Sequence, residues 1–556
     1  MTGCESRRDS LEGAFYIFQR PITCSLIVIW LLWTYWTPAA HADEPLSGHA
    51  TPAFQKGISY AAWWSGVYRT LGAEVALQRL HATGANWIAL IVTGHQDGIA
   101  ATTIDRAHPS TPTDEDLIHA ITLAHRLGLK VMLKPHVDLF NEVPGGPWRG
   151  DIGRAFTTEA QWAAWFASYK AFINHYAALA QAYKVEQFCI GTELLGTTHR
   201  ADDWRAVAAE VRAIYQGPIV YAALKEGEET SITWWDAVDY IGVDGYYPLN
   251  TDPNVRPTVE QLEAAWEGPK VILAGLSRKY NRPIILTEIG YRSRHGCTMK
   301  PWDSWETSQL DMEEQANAYE AAFRQLFNQP WLAGMFWWMW SADPFESGPC
   351  DMGYTPAEKP AEDVLRRWYG APPRSVEPSR VPDYSIQLPV YNGALVHNWQ
   401  NWSWGISSLE MGASQLSPEG TSSIALTLQP YGALSFWHSP PHDVSPYYWL
   451  EFHVRSADST SPRLSVFLSD ENGIEQLRVP VNDCRHIREG NIAAEWKLAR
   501  LRLSDLNRAG RPITRISIQE QNGRNVSLYL ADLRFVAAKN PYQIMLPVIA
   551  LIHPHA

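Results

Sequence analysis

Two glutamates close apolar runs in this chain. Glu193 follows the run Val185 to Ile190 in 185-VEQFCIGTELLG-196, and Glu288 lies near the end of 283-PIILTEIGY-291. A carboxylate at the end of a buried strand costs free energy unless a partner or a reaction uses it. Two carboxylates facing one cleft suit hydrolysis of a glycosidic bond, one protonating the leaving oxygen and the other attacking the anomeric carbon. Taken singly, each also fits a structural ion pair.

For the two to meet, the runs must belong to one sheet. From Phe54 to about Gly370 short apolar runs alternate with segments of helical periodicity. The runs are 54-FQKGISYA-61, 86-NWIALIVT-93, 129-LKVMLKPH-136, 185-VEQFCIGT-192, 218-PIVYAAL-224, 239-DYIGVDGYY-247, 283-PIILTEIGY-291 and 332-LAGMFWWMW-340. Between the second and third, 113-TDEDLIHAITLAHRLG-128 reads as a helix from a Thr cap to a terminal Gly. Eight such units predict a (β/α)8 barrel over residues 52–370. An open doubly wound sheet would carry a Gly-rich phosphate turn after its first strand, and the chain has none there.

A barrel of this kind gathers its functional residues at the C-terminal ends of the strands. Glu193 ends the fourth run and Glu288 the seventh, so both point into one mouth. His136 and Asp138 end the third run and fit a sugar subsite. Trp148, in 145-GGPWRGD-151, lies on a long loop and favours substrate contact. Trp63 and Trp64 follow the first run and suit either stacking on a sugar or core packing. Asp244 shares its face with Tyr246, in a structural or a supporting role. The 234-WWD-236 segment reads as packing, and Lys225, Glu226, Glu228 and Glu229 as a solvated loop.

After Gly370 the pattern changes. Residues 371–389 are Pro-rich and read as a linker. Residues 390–540 carry short alternating runs, which predict an all-β sandwich of jelly-roll type. There, 399-WQNWSWG-405 places Trp402 and Trp404 on one strand face with Trp399 nearby. The pattern resembles an accessory carbohydrate-binding module, in which exposed Trp faces hold sugar rings; filling of the sandwich core is the competing role. The tail 541–556 is apolar, short and Pro-broken, and is expected to dock on the protein.

Composition excludes other classes. The formal net charge is −13, and no run of Lys and Arg could follow a phosphate backbone, so no nucleic-acid partner is expected. With 46% hydrophobic and 19% charged residues the chain is globular, and its 26 tryptophans are unusually many. Residues 1–42 read as an export signal ending at Ala40-His41-Ala42, with secretion or a periplasmic location as the consequence. An uncleaved membrane anchor is the alternative, and 6-SRRDSL-11 partly resembles a twin-arginine signal. Cys189, Cys297, Cys350 and Cys484 lack the paired spacing of a zinc site, and the histidines lack ligand spacing, so neither metal nor cofactor is expected. Cys297 and Cys350 lie in loop-like stretches, and a disulfide between them is expected in an oxidising compartment.

The ordered set GISYAAWW, LKPHVD, FCIGTEL, WWDAVDYIGVDGYYPL and PIILTEIGY resembles glycoside hydrolase family 113, over roughly Phe54 to Tyr369. The best-known members of that family are endo-β-1,4-mannanases within a large clan of retaining barrel hydrolases. The resemblance implies Glu193 as general acid/base, Glu288 as nucleophile, and Tyr246 as the tyrosine that hydrogen-bonds the nucleophile. It implies Trp338 or Trp340 as the floor under the sugar at the cleavage point. In much of the clan the acid/base follows an Asn that binds the sugar 2-hydroxyl; here the neighbour is Thr192.

The sequence therefore predicts an exported, monomeric retaining hydrolase of a β-linked polysaccharide, with an endo-β-1,4-mannanase as first reading. The alternatives are a β-glycanase acting on another β-linked polysaccharide, a non-catalytic envelope polysaccharide-binding protein, and a membrane-anchored enzyme trimming the cell's own exopolysaccharide.

Overall fold

The computed structural model describes residues 53–539 except 141, 226, 376–379 and 459. The predicted signal over residues 1–42, the tail 541–556 and Glu226 lie outside the described residues.

Eight parallel strands close into a barrel in chain order. They are β1 (Gln55–Ala61), β2 (Trp87–Gln96), β3 (Lys130–Leu139), β4 (Gln187–Thr192), β5 (Ile219–Leu224), β6 (Tyr240–Asp244), β7 (Ile284–Ile289) and β8 (Leu332–Ser341). β8 returns to pair with β1, which removes the sheet edge. Every expected run is a strand. The sixth stops at Asp244 rather than continuing to Tyr247, because Gly245 leaves the ladder and donates its N–H to the Glu288 carbonyl at 2.7 Å.

Outside the barrel the helices bury one face each. The helix Asp114–Arg126 starts on Thr113 with a complete capping box to Asp116, and its Leu117, Ala120, Ile121 and Ala124 pack inward. The longest helix, Glu159–Ala182, packs Trp165, Tyr169 and Phe172 against the sheet, and the Tyr169 hydroxyl donates to the Ile190 carbonyl at 2.8 Å. The 234-WWD-236 segment is packing as expected: Trp234 and Trp235 are fully buried, and Trp234 stacks on Trp204 with ring centres 5.3 Å apart.

The C-terminal region is all-β, with ten antiparallel strands. Its backbone is the strand Ser422–His442, whose first half pairs with Val526–Ala538 and second half with Ile513–Glu520. The change of partner falls around Tyr431, which has φ of 58°, and Gly432, which lies against Gly405 where a Cβ would meet the Gly405 carbonyl at 2.0 Å. Both sets of strands contribute to one core, among them Ile424, Leu434, Phe436, Phe452, Val466 and Ile516. The segment read as a linker is partly a strand: Pro382–Tyr391 pairs with Val526–Ala538.

The expected disulfide is not the one formed. Cys350 pairs with Cys484, and Cys297 is a buried free thiol. The reason is placement. Cys297 sits in the core below Tyr291, where burial pushes its thiol up, whereas Cys350 is exposed on the loop after β8, facing the turn that carries Cys484. The bridge thus ties barrel to sandwich. Beside it Arg485 pairs with Glu358 at 2.7 Å and donates to the Phe345 carbonyl at 3.2 Å, while Arg79 reaches Glu358 at 3.2 Å.

Candidate active site

The mouth of the barrel holds a cleft of about 1070 Å³ into which Glu193, Tyr246 and Glu288 open. Its walls are aromatic, with Trp63, Trp148, Trp302, Trp305, Trp338 and Tyr354 among them.

Glu193 sits one residue beyond β4 with φ of 53°, a left-handed conformation that a non-glycine residue adopts only when its surroundings impose it. Two backbone anchors do so. Glu193 N–H donates to the Ala222 carbonyl at 2.8 Å, and Leu194 N–H donates to the Tyr221 hydroxyl at 3.0 Å. That hydroxyl in turn donates to Glu228 at 2.7 Å, and the other Glu228 oxygen accepts from Leu224 N–H at 2.6 Å. Burial pushes Glu228 up to about 8. Glu228 and Glu229 are therefore buried supports, and the expected solvated loop is corrected: Glu228 braces β5 through Tyr221 and Leu224, and Glu229 accepts from Gly227 N–H at 2.7 Å. Lys225 is buried too, with its ammonium 3.8 Å from the centre of the Trp302 ring.

Burial holds the Glu193 carboxyl well above its ordinary value, and the negative charges of Asp244 and Glu288 add to this. Arg149 opposes them from 3.6 Å. Glu288, in β7, is gripped on both oxygens. Tyr246 donates to Oε2 at 2.6 Å and the Lys134 ammonium to Oε1 at 2.5 Å. Burial and the charge of Glu288 raise Tyr246, which keeps its proton for that bond. Below, Asp244 accepts from Lys134 at 3.2 and 3.3 Å and from the Thr287 hydroxyl at 2.7 Å, and burial and Glu288 push its carboxyl upward.

The third strand end is organised by Arg149. Its guanidinium pairs with Asp138 at 2.7 Å and donates to His136 Nδ1 at 3.0 Å. A guanidinium has no acceptor, so Nδ1 accepts and the ring proton sits on Nε2, 3.8 Å from Glu288 Oε1. Burial, then Arg149 and Lys134, pull His136 well below its ordinary value, so the ring is neutral.

Other expected residues divide. Trp148 lines the cleft over Gly150, where a Cβ would lie 2.4 Å from the indole. Trp338 lines it as well and stacks on His136 at 12°. Trp340 does not: it is 3% exposed and belongs to the core around the barrel. His136 lies beneath the cleft wall at 1% exposure. Trp64 is exposed on the surface outside the cleft lining, and the lining residue is its neighbour Trp63. Thr192 is buried with its hydroxyl 3.8 Å from Cys189 Sγ, away from the cleft lining. In the sandwich, Trp399 is buried in the core beside His438, whereas Trp402 and Trp404 are exposed.

Sequence reasoning passed over Lys134, Arg149, Trp302, Trp305 and Tyr354. Lys134 had a signal, because it alternates with buried Leu133 and Val131 and shares the inward face of β3 with Met132 and His136. The others sit on loops, where no periodicity marks direction.

The arrangement offers one carboxyl biased by burial toward its protonated form and a second gripped by donors across the same cleft, a pairing suited to acid-assisted displacement at an acetal carbon. Comparison with known proteins agrees. A sequence profile described as Glycoside Hydrolase Family 113 matches residues 59–359, over half of the chain. No curated protein sequence matches. Among solved structures the chain is similar to the GH113 β-mannanase AaManA from Alicyclobacillus acidocaldarius in complex with ManMIm, at 30% identity and a TM-score of 0.52, covering 59% of this chain and 99% of that one. It is similar also to a GH113 β-1,4-mannanase complex at 29% identity and a TM-score of 0.50, covering 58% of this chain and 100% of that one. The barrel, its mouth and the profile match converge: the chain belongs to glycoside hydrolase family 113 and is a glycoside hydrolase.

Proposed function

We propose that the protein is a retaining endo-β-1,4-mannanase in which Glu193 is the general acid/base and Glu288 the nucleophile. The observation that carries the reading is the unequal treatment of the two carboxyls: one desolvated and pushed up, the other held by Tyr246 and Lys134. Glu288 attacks the anomeric carbon while Glu193 gives its proton to the departing sugar oxygen; water then reverses the sequence with Glu193 as base. Trp338 forms the floor under the sugar at the cleavage point. The open cleft, lined by Trp63, Trp148, Trp302, Trp305 and Trp338, supports binding of several sugar units and endo action. The mannan preference is supported by the β-mannanase structures that the barrel resembles.

A β-glycanase on another polysaccharide is the second reading, favoured by Thr192, whose hydroxyl is turned onto Cys189 and leaves the 2-hydroxyl contact to other groups. Hydrolysis of a panel of β-mannan, β-glucan and xylan, with NMR of the first-formed anomer, tests both. Mannan as the preferred substrate and retained configuration are expected. An inverted product, or full activity in Glu288→Ala, overturns the mechanism.

The sandwich supports a second contact with polymer. Trp402 is 49% exposed and stacks on Trp437 with ring centres 5.0 Å apart, under the guanidinium of Arg515. With Trp404 this forms an aromatic platform for sugar rings. Secretion or a periplasmic location is supported by the Cys350–Cys484 bridge, which suits an oxidising compartment. No helix among the described residues is long and apolar enough to cross a membrane.

A further inference from the structure

Lys134 is fully buried at the base of the cleft, and its ammonium touches two carboxylates at once: Glu288 at 2.5 Å and Asp244 at 3.2 and 3.3 Å. A buried ammonium persists only when paired and hydrogen-bonded, and one carboxylate would already balance its charge. The second carboxylate is the feature to explain. Asp244 is itself fully buried, has Thr287 as its other donor, and pairs in register with Glu288 across β6 and β7. Burial of a second negative charge against Glu288 is unfavourable at rest.

The two-step reaction supplies the reason. In the first step a Glu288 oxygen bonds to the anomeric carbon, the glycosidic bond breaks, and its electron pair leaves with the sugar oxygen, which takes the proton of Glu193. Glu288 is then a neutral ester and no longer balances Lys134. In the second step water bonds to the same carbon and gives a proton to Glu193, and the ester bond breaks with its pair returning to Glu288 as carboxylate. We propose that Lys134 and Asp244 are a positioning pair for this cycle: Lys134 receives the carboxylate charge as Glu288 leaves, and Asp244 balances Lys134 while Glu288 is esterified. The inference rests on Glu288 being the nucleophile.

The groups facing Glu288 are Lys134 and His136 from β3, Arg149 from the loop after it, Glu193 after β4, Asp244 and Tyr246 at the end of β6, and Tyr354 after β8. His136 is neutral, Tyr246 is a donor, and Glu193 carries a proton at the start; of the charges left, Arg149 is paired with Asp138 at 2.7 Å, Lys134 touches Glu288 at 2.5 Å, and Asp244 stands beside Glu288 in register.

Lys134→Met and Asp244→Asn, made in the full chain, move the system in opposite directions. Loss of the positive charge shifts the acid limb of kcat/KM to higher pH by about one unit or more, and loss of Asp244 shifts it to lower pH. On a dinitrophenyl β-glycoside, whose leaving group needs no proton, Lys134→Met shows a larger burst of phenol than the parent because the second step slows. Lys134→Arg restores the limb toward its parent position. Acid limbs that stay put in both variants, or move together, overturn the inference, as does an unchanged burst in Lys134→Met. Labelling by a 2-deoxy-2-fluoro glycoside, located by peptide mass spectrometry, separates the two levels. A label on a residue other than Glu288 overturns the underlying mechanism, whereas a label on Glu288 with unmoved limbs overturns the pair alone. If Lys134→Met does not fold, the Asp244→Asn limb and the Lys134→Arg rescue carry the same test.

Discussion

Arg149 Nη1 stands 3.6 Å from Oε2 of Glu193, although Arg149 belongs to the loop after β3 and Glu193 to the end of β4. The same guanidinium holds Asp138 and fixes the tautomer of His136. One loop cation therefore sets the electrostatics of the proposed acid/base while organising the neighbouring strand end. Its positive charge opposes burial, Asp244 and Glu288, which all favour the protonated carboxyl. Arg149→Met is expected to move the basic limb of kcat/KM to higher pH, together with a fall in kcat. A pH–rate profile showing the limb unmoved or lowered contradicts this.

Glu193 also affects stability, with a defined sign. Its folded carboxyl titrates above the ordinary 4.5, so between these values the folded chain binds more protons than the unfolded one, and stability falls as pH rises through that window. Glu193→Gln removes this cost. The variant is expected to be more stable than the parent at pH 7, with the difference vanishing below about pH 4. Denaturant melts at both pH values measure it, and its kcat on polymer falls by about 10²–10⁴ for loss of the acid.

Tyr246→Phe removes one hydrogen bond to the charged Glu288 and nothing else in the cleft. A bond of this type contributes about 1.5–3 kcal/mol, so kcat/KM is expected to fall roughly 10- to 100-fold. Unchanged kinetics would show that the 2.6 Å contact has no role in turnover.

The Cys350–Cys484 bridge closes a long loop, its ends 134 positions apart in sequence. Cys350→Ser or Cys484→Ser is expected to lower stability by about 2–5 kcal/mol, read as a drop in melting temperature that reductant reproduces in the parent. Cys297 is buried, so alkylation of the native, non-reduced protein is expected to leave it unmodified.

Trp402→Ala is expected to weaken retention on insoluble β-mannan by about tenfold, with no change in hydrolysis of a short soluble oligosaccharide. Trp399→Ala acts differently, since Trp399 lies in the core: it lowers the melting temperature of the protein.

The barrel was legible because alternating apolar runs and capped helices are local signals, and all eight strands and the helix at 114–126 follow from them. The meeting of Glu193 and Glu288 in one cleft was legible by the same logic, since a strand end fixes direction, whereas Tyr246 lies beyond the end of β6 and was named through the family resemblance. Legibility failed where direction is not fixed by a period. Trp63 and Trp64 are adjacent in sequence, and only the turn after β1 decides which enters the cleft. Cys297 and Cys350 are both in loops, and only the docking of the sandwich brings Cys484 to Cys350. Glu228 and Glu229 carry the composition of a solvated turn and are instead buried, because a tyrosine hydroxyl and backbone N–H groups wait for them. Arg149 lies in a Gly- and Pro-rich loop whose sequence says nothing about where its long side chain reaches.

The bridge from Cys350, with the ion pair of Arg485 and Glu358 beside it, changes what the second domain is in mechanical terms. A binding domain joined by a Pro-rich tether alone trails its enzyme like a leash, and the area it can graze grows with the tether. Here the two bodies are fastened at a second point, so the reach of the platform proposed at Trp402 is set by that fastening and not by the length of the tether.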